Sequence, residues 1–121
     1  MKITREFADS FAAEWIAAWN ARDLPHVLSH YTEDFEMSSP FIFEIAGEPS
    51  GRLRGKEKVR AYWQTALDKN PGLRFELLDV LVGANSLVLH YRRNSGGRVA
   101  ETLFFNEQGL VYQAAAHYNE N

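Results

Sequence analysis

The fold is decided by the stretch YTEDFEMSSP at residues 31–40, where the spacing of apolar residues changes from helical to alternating. From Phe35 onwards, apolar or small residues alternate with acidic or polar ones, which is the two-residue period of a strand. Pro40 cannot donate a hydrogen bond to a sheet, so it marks the end of the strand. We therefore predict a brief strand up to Pro40, with the helix-to-strand junction near Thr32.

The segment before this strand has the pattern of two helices. Large aromatic residues recur every four positions from Phe7 to Trp19, which predicts an amphipathic helix from about residue 4 to residue 21. Asp23 can cap a second, short helix, because its side chain can accept a hydrogen bond from a free backbone N–H. We expect the apolar side of both helices to be covered by a sheet.

The segment after Pro40 predicts one helix followed by four strands. Residues 55–69 match one helical face, and Pro71 ends this helix because the residue before a proline disfavours the helical region. Strand-like runs follow, separated by short turn-forming segments, at 73–82, 86–93, 98–106 and 110–118. Consecutive hairpins predict an antiparallel meander. The segment 41–54 is compatible with a short helix or with a flap.

Helices followed by a meander predict an α+β fold, with three N-terminal helices packed on one face of a curved, mainly antiparallel sheet. The strands carry apolar residues on both faces: Leu87 and Leu89, for example, alternate with Val88. Two apolar faces need two covers, and the helices supply only one. We expect a second copy of the chain to cover the outer sheet face, giving a homodimer.

Length and composition exclude several classes of protein. The chain has 121 residues, of which 45% are hydrophobic and 13% aromatic, as expected for a single domain over residues 1–121. It has no cysteine, which excludes disulfides, thiolate metal sites and cysteine nucleophiles. A net charge of −3 gives no general attraction to nucleic acid or anionic lipid. No stretch approaches the roughly 20 apolar residues of a membrane span, so we expect a soluble, cytoplasmic protein.

The order of these motifs resembles the SnoaL-like (polyketide cyclase-like) branch of the nuclear transport factor 2-like superfamily. The resemblance spans the chain and is carried by WNARDL at 19–24, YTED at 31–34, SP at 39–40, RGKEKVR at 54–60 and FNEQG at 105–109. It implies a cystatin-like, cone-shaped fold around an apolar cavity. This fold hosts isomerases, cyclases, dehydratases and binding proteins, so the resemblance specifies the fold more closely than the activity.

The ketosteroid isomerase branch of the superfamily offers a residue-level comparison. By position, Ser39 corresponds to its general base, Trp15 to its oxyanion-hole tyrosine and Glu101 to its neutral acid. Only the acid is retained in kind, because a serine hydroxyl is too weak a base to take a proton from carbon. The resemblance therefore does not imply ketosteroid isomerase activity.

The polyketide cyclase members place an acid and a histidine on the sheet around an apolar pocket, and Glu101 and His90 are the corresponding catalytic candidates. If the hairpin turns tightly around Ser95-Gly96, His90 faces Glu101; a three-residue loop would place Tyr91 opposite Glu101 instead. Burial would raise the pKa of Glu101, and a protonated His90 would lower it. Two functions remain open: a cofactor-free isomerase, cyclase or lyase that transfers a proton, or a non-catalytic domain for ligand binding or dimeric interaction.

Large aromatic residues on the helices face small residues on the last strand, Ala114 to Ala116, which leaves room for a small apolar molecule. The candidate ligand-binding residues are Trp15, Trp19, Tyr31, Phe35, Met37, Ser39, Phe41, Trp63 and Tyr118. The family resemblance places Tyr118 on the cavity side, so His117, the preceding residue of the strand, is expected to face the dimer interface.

Cofactor motifs are absent from the sequence: it has no glycine-rich phosphate loop and no dinucleotide fingerprint. His26 and His30 have a spacing that suits a metal, but a stable site needs three or four ligands and the sequence suggests no third. We therefore expect no cofactor, no metal site and two exposed histidines. The basic residues of segment 52–60 are expected to form a solvated face, with phosphate binding at the following helix start as the alternative.

Overall fold

The computed structural model of the protein describes residues 1–120, which form four helices and six strands. Their bounds are α1 Arg5–Asn20, α2 Leu24–Leu28, β1 Tyr31–Ser38, α3 Ile42–Ile45, β2 Arg52–Arg54, α4 Lys56–Lys69, β3 Phe75–Val82, β4 Ser86–Arg93, β5 Arg98–Phe105 and β6 Val111–Tyr118. The helices and strands expected from the periodicity are all present. The structure thus has the predicted α+β fold.

Two boundaries differ from the sequence-based expectation. β1 begins at Tyr31, one residue before the expected junction and well before Phe35, because Tyr31 pairs with Val111 of β6. The segment 41–54 contains both a four-residue helix, α3, and the short strand β2. β2 forms because it pairs with the outer edge of β1, with Met37 opposite Leu53.

The six strands form one mixed sheet in the order β2-β1-β6-β5-β4-β3. All neighbouring pairs are antiparallel except β1 and β6, which are parallel. The register shifts between Tyr31 and Glu36, between Leu77 and Asp79, and between Phe104 and Phe105. Shifts of this kind bend and twist a strand, which allows the sheet to curve around the helices.

The core lies between the helices and the concave face of the sheet. Leu87, Leu89 and Leu103 point to this face and are completely buried. Leu81 and Tyr112 lie on the convex face, where 51% and 40% of their surface is exposed. The alternation of the strands therefore separates a buried face from an accessible apolar face. No helix in residues 1–120 combines the length and the hydropathy needed to cross a bilayer.

Candidate functional site

A cavity of about 340 Å³ lies between α1, α4 and the concave face of the sheet. Its apolar lining includes the aromatic rings of Trp15, Trp19, Trp63 and Phe75. The tryptophans are held by each other, since the rings of Trp19 and Trp63 meet edge to face at 4.9 Å. Helical spacing on α1 and α4 thus builds a rigid aromatic wall opposite the sheet.

Glu101 is the one acidic residue buried in the core of residues 1–120, with only 4% of its surface exposed. It lies on the concave face of β5 and lines the cavity. The hydroxyl of Tyr91 donates a hydrogen bond to its Oε1 atom at 3.0 Å. No residue of the described part of the chain donates a hydrogen bond to Oε2, which leaves this oxygen available to a ligand.

The environment of Glu101 changes its acidity. Burial raises its pKa from 4.5 to about 7, and the hydrogen bond from Tyr91 acts weakly in the opposite direction. Removal from water penalises the charged carboxylate more than one hydrogen bond can restore. Near neutral pH the side chain therefore exists in comparable amounts as acid and as base.

Several hydrogen-bond donors lie around the same cavity. The hydroxyl of Tyr62 donates to Ser39 Oγ at 3.3 Å, and burial raises the pKa of Tyr62 and of Tyr118. Both phenols therefore stay protonated at neutral pH. The indole N–H of Trp19 is buried and has no hydrogen-bond partner within residues 1–120. A buried unpaired donor on a cavity wall is suited to an acceptor oxygen of a ligand.

Arg93 adds a positive charge beside the cavity. Its guanidinium carbon lies 5.1 Å from the centre of the Tyr118 ring and 5.9 Å from that of Phe41. The same group forms an ion pair with Glu120. Stacking on two aromatic rings holds the guanidinium in place.

Neither of the two hairpin registers considered for Glu101 is present, so neither His90 nor Tyr91 lies directly opposite it. In the structure Leu89 lies opposite Glu101 and His90 lies opposite Ala100, so His90 points to the convex face, away from the cavity. The turn between β4 and β5 is closed by a hydrogen bond from the N–H of Arg93 to the carbonyl of Gly97 at 3.0 Å, and Gly96 and Gly97 both adopt positive φ angles, 105° and 89°. The observed register differs by one residue from the one that places His90 opposite Glu101, and by two residues from the one that places Tyr91 there. Tyr91, on the same face as Glu101, is the residue that contacts the carboxyl.

The other predicted site residues fall into two groups. Those that line the cavity are Trp15, Trp19, Met37, Phe41, Trp63 and Tyr118. Tyr31, Phe35 and Ser39 lie behind this lining: Tyr31 accepts a hydrogen bond from Trp15 Nε1 at 3.0 Å, and Phe35 packs against Tyr31. Tyr31 and Phe35 therefore support the wall, while Ser39 supports the hydroxyl of Tyr62.

Tyr62, Tyr91 and Arg93 line the cavity but were not among the sequence-based candidates. Tyr62 is one of several apolar positions on a helical face, and its spacing did not separate it from ordinary core residues. Tyr91 depends on the hairpin register, which the loop sequence left open. Nothing in the sequence marks Arg93 as a cavity residue, because an arginine at a strand end usually faces water.

Two expectations about surface residues can also be compared with the structure. His117 is exposed on the convex face, as expected from alternation. His26 is exposed, but His30 is partly buried, and its Nε2 atom lies 2.6 Å from Oε2 of Glu14. The expectation of two exposed, solvated histidines was therefore wrong for His30, because α1 packs beside it.

The basic run at the start of α4 forms exposed ion pairs. Arg52 and Arg54 approach Glu36 at 3.5 and 3.4 Å, and Lys56 approaches Glu33 at 3.6 Å. These contacts agree with the interpretation as a solvated face.

Comparisons with known proteins agree with the fold. A solved structure of a SnoaL-like protein of unknown function from Burkholderia thailandensis is 52% identical, covers 99% of this chain and 100% of that chain, and has a TM-score of 0.94. A candidate isomerase of the SnoaL-like family from Agrobacterium tumefaciens is 19% identical, with 93% and 97% covered and a TM-score of 0.74. AclR, a candidate hydroxylase from Streptomyces galilaeus, is 17% identical, with 96% and 91% covered and a TM-score of 0.72.

The last two similarities, at such low identity, show the fold alone. No curated protein matches the chain. The model of the SnoaL-like domain family matches residues 12–118. Because this match covers most of the sequence and the fold agrees with it, the chain belongs to the SnoaL-like domain family.

Proposed function

We propose that the cavity binds a small, mostly apolar carbonyl compound and that Glu101 transfers a proton on it, as an isomerase, cyclase or dehydratase would. The observation that carries this proposal is the setting of the Glu101 carboxyl: it is buried on the wall of an apolar cavity, with one oxygen held by Tyr91 and the other without a partner among residues 1–120. A pKa of about 7 suits a group that must both take and return a proton at neutral pH.

The reaction begins with Glu101 as a base. The carboxylate oxygen Oε2 takes a proton from the carbon next to the carbonyl, and the electrons of that C–H bond form a carbon–carbon double bond as the carbonyl oxygen becomes an enolate. If Glu101 returns the proton to a different carbon, the product is an isomer. If the enolate instead expels a β-hydroxyl group, and Glu101 protonates the leaving oxygen, the product has lost water. In both cases Glu101 returns to its starting state.

The enolate oxygen needs hydrogen-bond donors, and two groups around the cavity can supply them. Tyr118 remains protonated, and the N–H of Trp19 has no other partner in the described chain. The hydroxyl of Tyr62 already donates to Ser39 Oγ. Donors fixed before the reaction stabilise developing negative charge without reorganisation. The N–H of Trp15 is not available, because it already donates to Tyr31.

The test uses 2-tetralone, an apolar bicyclic ketone with acidic hydrogens beside its carbonyl. Proton NMR in D₂O follows the replacement of these hydrogens by deuterium, which requires a base at the ketone but no further chemistry. We expect the wild-type protein to accelerate this exchange above the buffer rate and Glu101→Gln to reduce it to that rate. Glu57→Gln, an exposed carboxylate on α4, is the matched control and should behave as wild type. Exchange by Glu101→Gln as fast as by wild type would exclude Glu101 as the base.

A second function, ligand binding without chemistry, is supported by the Tyr91 hydrogen bond, which already partners the Glu101 carboxyl as a purely structural contact would. Quenching of tryptophan fluorescence by 2-tetralone separates the two functions. If the domain only binds, Glu101→Gln keeps the affinity and Trp63→Ala weakens it, while wild type shows no exchange above buffer. Quenching together with Glu101-dependent exchange would reject binding alone.

A further inference from the structure

Glu14, His26 and His30 form a cluster on the surface formed by α1 and α2, outside the cavity. Oε2 of Glu14 lies 2.6 Å from Nε2 of His30 and 3.5 Å from Nε2 of His26. One potential ligand atom from each residue lies within 4.8 Å of the other two. The sequence offered only the two histidines, and the packing of α1 on α2 supplies the third group.

The backbone positions of the three residues are fixed by buried neighbours. On α1, Phe11 is buried one turn before Glu14, and its ring meets the ring of His30 edge to face at 5.0 Å. On α2, Val27 is completely buried and its carbonyl accepts a hydrogen bond from the backbone N–H of His30 at 3.2 Å. The three side chains can therefore rotate while their backbone atoms remain in place.

The contact between His30 and Glu14 is not a satisfactory hydrogen bond. The two atoms are close, but their orientation is unfavourable, and Nε2 of His30 is a buried atom without a hydrogen-bond partner in residues 1–120. Buried imidazole nitrogens normally have a partner. A shared ion between the three groups would supply one.

We propose that Glu14, His26 and His30 bind a divalent transition-metal ion of the zinc type. Two imidazole nitrogens and one carboxylate oxygen match the three protein ligands of zinc sites that keep an open position. Tetrahedral bonds of about 2.0–2.2 Å place neighbouring ligand atoms about 3.4 Å apart. The observed contacts of 2.6 and 3.5 Å bracket this value, and both Glu14 and His26 are about half exposed and free to adjust.

Space for the remaining coordination position lies beside the cluster. A surface cavity of about 370 Å³ is lined by Glu14, His30 and residues from the start of α1. A water molecule or a small anion can therefore complete the coordination from this side. The bound ion would join α1 to α2 and to the first residue before β1.

Isothermal titration of zinc chloride into the full chain, first treated with a chelator and then freed of it, tests the site. We expect one ion per chain with a dissociation constant below about 10 μM, in the range reached by sites with three protein ligands. Glu14→Gln and His26→Gln should each weaken binding at least about tenfold, because each substitution removes one of the three protein ligands. Both residues are exposed, so these variants should keep the wild-type circular dichroism spectrum.

The chain has four histidines, and the other two provide the matched controls. His90→Gln and His117→Gln change residues on the convex sheet face and should leave zinc affinity unchanged. The proposal is overturned if wild type binds no more tightly than the Glu14→Gln and His26→Gln double variant. It is equally overturned if the loss follows His90 or His117, since the ion would then bind elsewhere.

Discussion

Burial of the Glu101 carboxyl lowers the stability of the folded state. A leucine at this position would pack against the neighbouring aromatic rings without the cost of removing a carboxyl from water, and one hydrogen bond from Tyr91 does not offset that cost. Residues that reduce stability in a cavity commonly serve its chemistry. The pKa of the residue therefore links stability and function at a single site.

The first prediction concerns the stability cost of Glu101. Its pKa is about 7 in the folded protein and near 4.5 in the unfolded chain, so the folded state holds the extra proton between these values. The contribution of this group to the free energy of unfolding therefore falls as pH rises from about 4.5 to 7, by about 3 kcal/mol in total. Glu101→Gln removes this dependence and should gain stability relative to wild type as pH rises.

Urea unfolding of both proteins at pH 5 and pH 8 measures the effect. The control is Glu57→Gln, whose pH dependence should follow that of wild type. If the free energies of unfolding of wild type and Glu101→Gln run parallel between the two pH values, the pKa of Glu101 is not raised by burial.

The second prediction concerns Tyr91 as a positioning residue. Its hydrogen bond favours the charged form of Glu101, so Tyr91→Phe should raise the pKa of the carboxyl further. The pH at which ketone exchange reaches half its maximum should then move upwards, while the exchange at high pH is largely retained. An unchanged midpoint with uniformly lower exchange would indicate that Tyr91 only supports the packing.

At the scale of elements, the β4–β5 hairpin decides which side chains meet in the cavity. The alternation in the sequence correctly predicts both strands, and the family resemblance correctly indicates Glu101 as an acid on the buried face. It does not determine the partner of Glu101, because the register depends on how two consecutive glycines turn, and glycine adopts positive φ angles at little cost. The same limit applies to the cluster at His26 and His30. Its third member, Glu14, lies on the preceding helix α1 and approaches the histidines only because α1 packs on α2.

Gly55 also positions cavity residues, because it joins β2 to α4, the helix that carries Tyr62 and Trp63. Its φ angle is 96°, and its N–H donates to the carbonyl of Phe35 at 2.8 Å. A side chain at this position would meet no close atom, the nearest being a carbonyl oxygen at 3.8 Å. Any cost of substitution is therefore backbone strain rather than collision.

We expect Gly55→Ala to lower the free energy of unfolding by about 1–3 kcal/mol. Gly72→Ala is the control, since the φ angle of Gly72 is not in the positive region and a side chain there would meet nothing within 4 Å. Thermal unfolding followed by circular dichroism should separate the two variants by several degrees. Equal melting temperatures would contradict the requirement for a positive φ at residue 55.

At the scale of the whole molecule, the convex sheet face is the part left uncovered. Leu81 and Tyr112 on this face are both more than one-third exposed. Exposed apolar patches on a sheet are typical of interaction sites. The homodimer expected from the two apolar faces therefore stays a prediction, with the second copy as the proposed cover.

Light scattering at micromolar concentration tests this arrangement. We expect wild type to have the mass of a dimer and Tyr112→Glu, which introduces a charge into the proposed contact, to shift towards the monomer. Glu57→Gln, on a helix remote from this face, should remain dimeric. A monomeric wild-type protein would contradict the predicted homodimer.

The most direct test of the central claim is the titration of the Glu101 carboxyl by ¹³C NMR, with Glu101→Gln used to assign the signal. We expect a midpoint at pH about 7, and a shift of this midpoint when 2-tetralone enters the cavity beside Oε2 of Glu101. A midpoint near the ordinary value of 4.5 that is unaffected by the ketone would mean that the carboxyl is in contact with water, and it would contradict a proton-transfer role for Glu101.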